Sequence, residues 1–228
     1  MARRSKRLTR KDIRRPDQFF TFAATLLDFS SKHKTSLLAL SLLLLATLAG
    51  FWLWELHKTG QNRLASEQYS RALDLYQTGK YREALAALKT VATYRSSNYA
   101  PFAQIQLANA HIALNELPQA VNVLKEFLAG KNREPLLTQA ALVALGHAHE
   151  LSGNCKEAVN NFMAAEKTPG PLKEEAVLAG ARCSAANGDL KEALAAYRRY
   201  LAEFPGSDRV SEILIKAQEL EGKIRNQS

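Results

Sequence analysis

The chain has 228 residues, 31 Lys and Arg against 22 Asp and Glu, a formal net charge of +9, and 46% apolar residues. This length and a near-average apolar share exclude wholesale disorder and a collagen-like repeat, and leave room for one ordinary domain with attachments. The charge suggests nucleic acid until it is partitioned. Residues 1–34 hold ten bases (Arg3, Arg4, Lys6, Arg7, Arg10, Lys11, Arg14, Arg15, Lys32, Lys34) against Asp12, Asp17 and Asp28, a net of +7, so the other 194 residues carry only +2. A phosphate-binding face would lie on the folded body, where its contacts stay in register, so no nucleic acid is expected as a partner.

The basic tail, residues 1–34, contains a first helical pattern at about 17–29. After Pro16 and the candidate N-cap Asp17, apolar residues fall at Phe19, Phe20, Phe22, Ala23, Leu26, Leu27 and Phe29, the spacing of an amphipathic helix. With arginines before it and lysines after it, its expected place is the cytoplasmic headgroup layer of a membrane, with Phe19, Phe20, Phe22, Leu26 and Leu27 in the acyl boundary. Two other readings stay open: a stem that extends the next helix, and a docking helix for an integral-membrane protein.

Residues 35–54 carry no charge and are dominated by leucine; at about 1.5 Å per residue they span roughly 30 Å, the thickness of a bilayer core. A single transmembrane helix is expected over 35–56, with Phe51, Trp52 and Trp54 in the far interfacial belt. A cleaved signal peptide fits less well, because the only small-residue site, Thr47-Leu48-Ala49, lies inside the apolar run. A buried soluble helix fits poorly too, with leucine on every face and Gly60 expected to end the pattern. The excess of basic residues before the run places residues 1–34 in the cytoplasm and the C-terminal body across the membrane. In a bacterium this means a single-pass inner-membrane protein with a periplasmic domain.

After a linker expected at 57–64, four segments follow one template over 65–206 (about 65–98, 101–134, 139–170 and 174–206). Each has a helix, a Gly or Asn turn, and a second helix opening with alanine. The turns begin at Gly79, Asn115, Gly153 and Gly188, and the alanines are Ala84, Ala120, Ala158 and Ala193, spaced 36, 38 and 35 residues apart. Four positions on stand Leu88, Leu124, Phe162 and Tyr197, and beyond them Val91, Phe127, Ala165 and Leu201. Seven positions before each turn is a small residue: Ala72, Ala108, Gly146 and Ala181. The turn residue can take the left-handed conformation that ends a helix, the small residues let helices approach closely, and the bulky ones fill the space to the next repeat. After Pro205-Gly206, with Ser207 or Asp208 as cap, residues 207–228 read as a capping helix and tail whose apolar face is Val210, Ile213, Leu214, Ala217, Leu220 and Ile224. The fold class is all-α: one N-terminal transmembrane helix, then an α-solenoid of about four helical hairpins and a cap.

These turn-plus-alanine motifs resemble tetratricopeptide repeats, with Pro101 and Pro205 where that family often breaks between repeats. The ensemble of basic N-terminus, one membrane helix and four degenerate repeats, over roughly 36–204, is similar to the YfgM-type ancillary subunits of the SecYEG translocon. It departs from them in the long basic tail with its Phe-rich helix. The resemblance implies a module that binds proteins: a translocon, a periplasmic chaperone or exported polypeptides.

Chemistry is sparse. His147 and His149 are two apart on a helix and point to different sides, so they cannot share a metal, and His111 and His149 fall at bulky template positions, which suits core or groove lining. Ser31-Lys-His-Lys34 lacks the companion motifs of a serine acyltransferase site, and there is no phosphate loop or nucleophile elbow. No enzyme activity, cofactor or metal is expected. Cys155 and Cys183 fall toward the same end of adjacent helices. In an oxidising compartment they would close a loop of about 29 residues; the alternative is two small buried residues standing in for alanine.

The inner face of such a solenoid is made by first helices, and the template puts Tyr69, Leu73, Tyr76, Phe102, Ile105, Asn109, Ile112, Val143, His147, Glu150, Leu178 and Arg182 there. The first half is aromatic and aliphatic and the second adds charge, which suits an apolar peptide with polar ends. It lacks the lysines that a carboxylate clamp would need. A bland alternative is a groove filled by the chain's own stem or cap. Functionally, the expectation is a tethered interaction module near a translocon or chaperone, against the alternative of a scaffold for an envelope or cell-division complex.

Overall fold

The computed structural model describes residues 22, 27–29, 32–130 and 134–226. Among them lie nine helices: α1 (Lys34–Gln77), α2 (Tyr81–Thr93), α3 (Ala100–Ala113), α4 (Leu117–Ala129), α5 (Pro135–Leu151), α6 (Cys155–Lys167), α7 (Lys173–Ala186), α8 (Leu190–Glu203) and α9 (Val210–Asn226). They fall into two compact units that divide between His57 and Lys58.

In the first unit, the apolar part of α1 is long and apolar enough to cross a bilayer, and its side chains touch little other protein: Leu38, Leu40, Leu42 to Leu45, Leu48, Phe51, Trp52 and Trp54 are all exposed. Phe22 and Leu27 of the amphipathic pattern are helical and exposed; Phe19, Phe20 and Leu26 lie outside the described residues.

The expected linker at 57–64 is absent. α1 runs unbroken from Lys34 to Gln77, Gly60 included, because one glycine costs a helix only about 1 kcal/mol and residues 61 and 62 have work to do in it. Gln61 Oε1 accepts from Ser96 N at 3.0 Å and Asn62 Oδ1 from Asn98 N at 2.8 Å, so the helix holds the loop between the first two repeats.

In the second unit, the last part of α1 and α2 form the first repeat, followed by α3–α4, α5–α6 and α7–α8, with α9 as cap. From α2 on, each helix packs on the next, and α3 also packs on α5 and α5 on α7. The first helices thus approach one another and make the inner layer. All four turns end the same way. Gly79, Asn115, Gly153 and Gly188 have φ of 77°, 58°, 75° and 89°, the left-handed region that glycine and asparagine tolerate best. In each, the next amide bonds back to a carbonyl five residues earlier (Lys80 to Leu75, Glu116 to His111, Asn154 to His149, Asp189 to Ser184, all 2.8 or 2.9 Å), closing the helix end.

Packing follows the template. Ala84, Ala120, Ala158 and Ala193 are fully buried, as are Ala72 and Ala108, and Leu88, Leu124, Phe162 and Tyr197 are buried above them. Gly146 has the tightest need: a Cβ there would stand 2.5 Å from Phe162 Cε1. Two expectations are corrected. Tyr200, wholly buried, fills the slot assigned to Leu201, which is only half-buried; it lies three residues after Tyr197, the spacing the other repeats keep. Leu214 is exposed, because α9 turns only Ile213, Ala217 and Leu220 fully into the fold.

Candidate functional site: the inner face of the repeats

A hollow of about 470 Å³ opens where the ends of α1, α3, α5 and α7 come together. The period of the helix decides what lines it: Asn109, Ile112 and Ala113 on α3, and Ala144, His147 and Leu151 on α5, recur at three or four residues and so share one side of their helix. Tyr76 and Arg182 close it from α1 and α7.

The lining is of two kinds. Tyr76, Ile112, Ala113, Ala144 and Leu151 are apolar, with Tyr76 set edge-on to Tyr81 at 5.2 Å. On the polar side, Arg182 grips Glu150 with two bonds, Nε to Oε1 at 2.5 Å and Nη2 to Oε2 at 2.8 Å. His147 lies 3.3 Å from Glu150 by Nδ1 and 3.5 Å from Glu175 by Nε2. Burial opposes the ionisation of Glu150, but the bonds from Arg182 and His147 outweigh it and hold its carboxyl down at about 2. The ladder continues as Arg209 meets Glu175 and Glu212, and Lys216 meets Glu212 at 2.6 Å. Charge on this side is spent within the protein, and Arg182 already has its carboxylate.

Six of the twelve residues expected at the groove therefore meet in one place: Tyr76, Asn109, Ile112, His147, Glu150 and Arg182. The others lie elsewhere. Ile105, Val143 and Leu178 are buried in the cores between helices and offer no surface to a ligand; each stands four residues before a groove residue (Asn109, His147 and Arg182), on the same side of its helix but one turn further from the helix ends that open the hollow. Tyr69 packs against Tyr99 with the rings tilted and 5.6 Å apart, and Leu73 is half-buried one turn further along α1. Phe102 lies in a second hollow of about 600 Å³ with Pro101, Leu137 and the loop from Arg95 to Asn98.

Ala113, Ala144 and Leu151 were missed, although extending the stripes of Asn109 and His147 by one turn reaches Ala113 and Leu151. His111 is buried and pairs with Glu116 at 2.7 Å across the turn, while His149 is half-buried, its ring pushed down by burial and by Lys125. Among the described residues no three His, Cys, Asp or Glu side chains converge as metal ligands would.

Two buried polar anchors hold the repeats beneath this face. Gln139, fully buried, donates to the carbonyls of Ala165 and Thr168 at 3.2 and 3.0 Å and accepts from Leu172 N at 2.9 Å. Tyr200 and Ser207 both donate to Glu174 Oε1, at 2.6 and 2.7 Å, and these bonds hold the carboxyl below its ordinary range. A lone amide in the apolar opening of α5 was the available signal for Gln139.

Paired helices stacked at a period of 35 to 38 residues, with a groove on the first helix of each pair, define the class of tetratricopeptide-like solenoids, which are protein–protein interaction modules. The chain belongs to the tetratricopeptide repeat-like domain family, whose profile matches residues 28–222. Solved structures with a similar fold include the TPR-like repeats of a putative kinesin light chain from Podosopora anserina (21% identity, 73% of this chain and 90% of that one, TM-score 0.59). The MamA protein is also similar (18% identity, 69% and 82%, TM-score 0.55), as is a thermophilic TPR protein of Thermus thermophilus (20% identity, 77% and 94%, TM-score 0.53). No curated protein matches the chain.

Proposed function

We propose that this protein is a membrane-tethered interaction module. Its groove holds an apolar segment of a protein partner at the periplasmic face of a bacterial inner membrane, as an accessory to translocation or to periplasmic chaperones in the manner of YfgM-type subunits. The observation that carries the binding mode is the mixed lining of the hollow: apolar side chains lie open beside charged groups already paired with one another, so affinity comes from apolar contact and the ion pairs set its limits. The tether is supported by the exposed leucines of α1 and by its hydroxyls. Ser41 Oγ donates to the Leu38 carbonyl at 2.9 Å and Thr47 Oγ1 to the Leu44 carbonyl at 2.8 Å, so these two side chains need no water to satisfy them. A tether raises effective concentration, and weak contacts then suffice.

Photo-crosslinkers at Tyr76 and Ile112 in intact membranes test the reading. Capture of translocon subunits, chaperones or exported chains is the expected result. If these positions capture none of them while crosslinkers at Phe20 and Phe22 capture a division or envelope protein, the scaffold reading replaces it. A C-terminal reporter active only in the periplasm tests the orientation; activity in the cytoplasm would overturn it.

A further inference from the structure

Cys155 is the first residue of α6, half-buried, and Cys183 lies in α7, fully buried; both carry free thiols. Their sulfurs are 2.9 Å apart, and a disulfide bond of about 2.05 Å is therefore reached by less than about 1 Å of movement. Nothing competes for the pairing, since these are the two cysteines of the chain. We propose that Cys155 and Cys183 form a redox-closed clamp: an intrachain disulfide that ties the third repeat to the fourth, one residue from the groove arginine, Arg182. The proposal goes beyond the binding role; closure in the cell requires the oxidising compartment of the proposed function, whereas the test below reads the capacity of the pair to close and so fails independently of the topology.

The chemistry is ordinary exchange with a small or protein disulfide as oxidant. Cys155, the accessible sulfur, attacks the oxidant as thiolate and releases one thiol. Cys183 then displaces the second thiol from the mixed disulfide, so two thiols of the chain lose two protons and two electrons and the oxidant becomes two thiols. Cys183 does not start the sequence. Burial, the hydrogen bond with Cys155 and the charge of Glu150 push its thiol up to about 12, and it becomes a nucleophile only at close range, once Cys155 has lost its own proton and charge to the mixed disulfide.

A repeat contacts chiefly its neighbours, so the bond acts at one interface. The test uses the full chain in detergent micelles, reduced and then exposed to oxidised glutathione, quenched by alkylation in denaturant and read by intact mass, peptide mapping and amide exchange. Expected are a monomer lighter by two hydrogens, one peptide pair joining Cys155 to Cys183, and an unfolding midpoint about 5 to 15 °C higher. Exchange should slow in α6 and α7 but not in α3, and Cys155→Ser should lose the shift. Glutathione retained on Cys155, disulfide-linked dimers, two alkylated thiols, or a bond that forms without raising the midpoint would each overturn the clamp.

Discussion

At the scale of single residues, the sharpest fit is between Gly146 and Phe162. Alanine at 146 would add helix propensity of about 1 kcal/mol, but its Cβ would stand within 2.7 Å of three ring atoms of a side chain with almost no exposure. Overpacking of this kind costs about 1–3 kcal/mol and its upper range outweighs the propensity. Gly146→Ala should therefore lower stability by up to about 2 kcal/mol in denaturant titrations, and Gly146→Ala with Phe162→Leu should recover part of it. Gln139→Leu should cost about 1–3 kcal/mol by the same measurement, because the Thr168 carbonyl and the Leu172 amide lose the bonds it makes to them, while the Ala165 carbonyl keeps the Thr168 amide. Glu150 gives a pH signature. Its folded carboxyl is depressed to about 2 from an ordinary 4.5, so its contribution is fully present above about pH 4.5 and is lost as the pH falls toward 2. Melting temperatures of Glu150→Gln should accordingly fall less between pH 5 and 2 than those of the parent chain. The small and bulky template positions were legible in the sequence because they recur four times. Gln139 and the Tyr200–Ser207–Glu174 cluster occur once each, and a contact made once leaves no period to read.

At the scale of elements, the four left-handed turns were legible from Gly79, Asn115, Gly153 and Gly188 alone, since few other residues accept that backbone. Gly153→Ala should lower stability by about 1 kcal/mol, a loss read by denaturant titration, whereas alanine at Gly222, inside a helix with open space around it, should cause none. The continuity of α1 through 57–64 was not legible. A glycine, polar residues and a change of composition looked like a linker, and only the loop at 96–98 explains why the helix persists. Asn62→Ala should speed amide exchange at Asn98 and leave α5 unchanged.

At the scale of the whole molecule, stability should be graded along the solenoid rather than shared evenly. Ile213 of α9 is almost wholly buried, packed with Tyr197 and Tyr200 in one core, and truncation of such a side chain costs about 2–4 kcal/mol. Ile213→Ala should lose amide protection in α8 and α9 while α2 and α3 keep theirs. Half of the groove was legible and half was not, for a geometric reason. The template gives the side of a helix, but not how far along that side the groove stays open. Tyr76 and Ile112 lie near the open helix ends; Val143 and Leu178 share the side of His147 and Arg182 but lie one turn earlier, where the helices close on one another.

The volumes that fill the repeats also fix their order. Ala72 shares a core with Leu88, Ala108 with Leu124 and Ala181 with Tyr197, whereas the third repeat sets a glycine under a phenylalanine ring. The repeats look alike in sequence, yet they are not interchangeable bricks. A second helix moved from the third repeat to the second would bring its ring down on Ala108. Shuffling or duplication of this solenoid is therefore tolerated only when a first helix and its second helix travel as a pair.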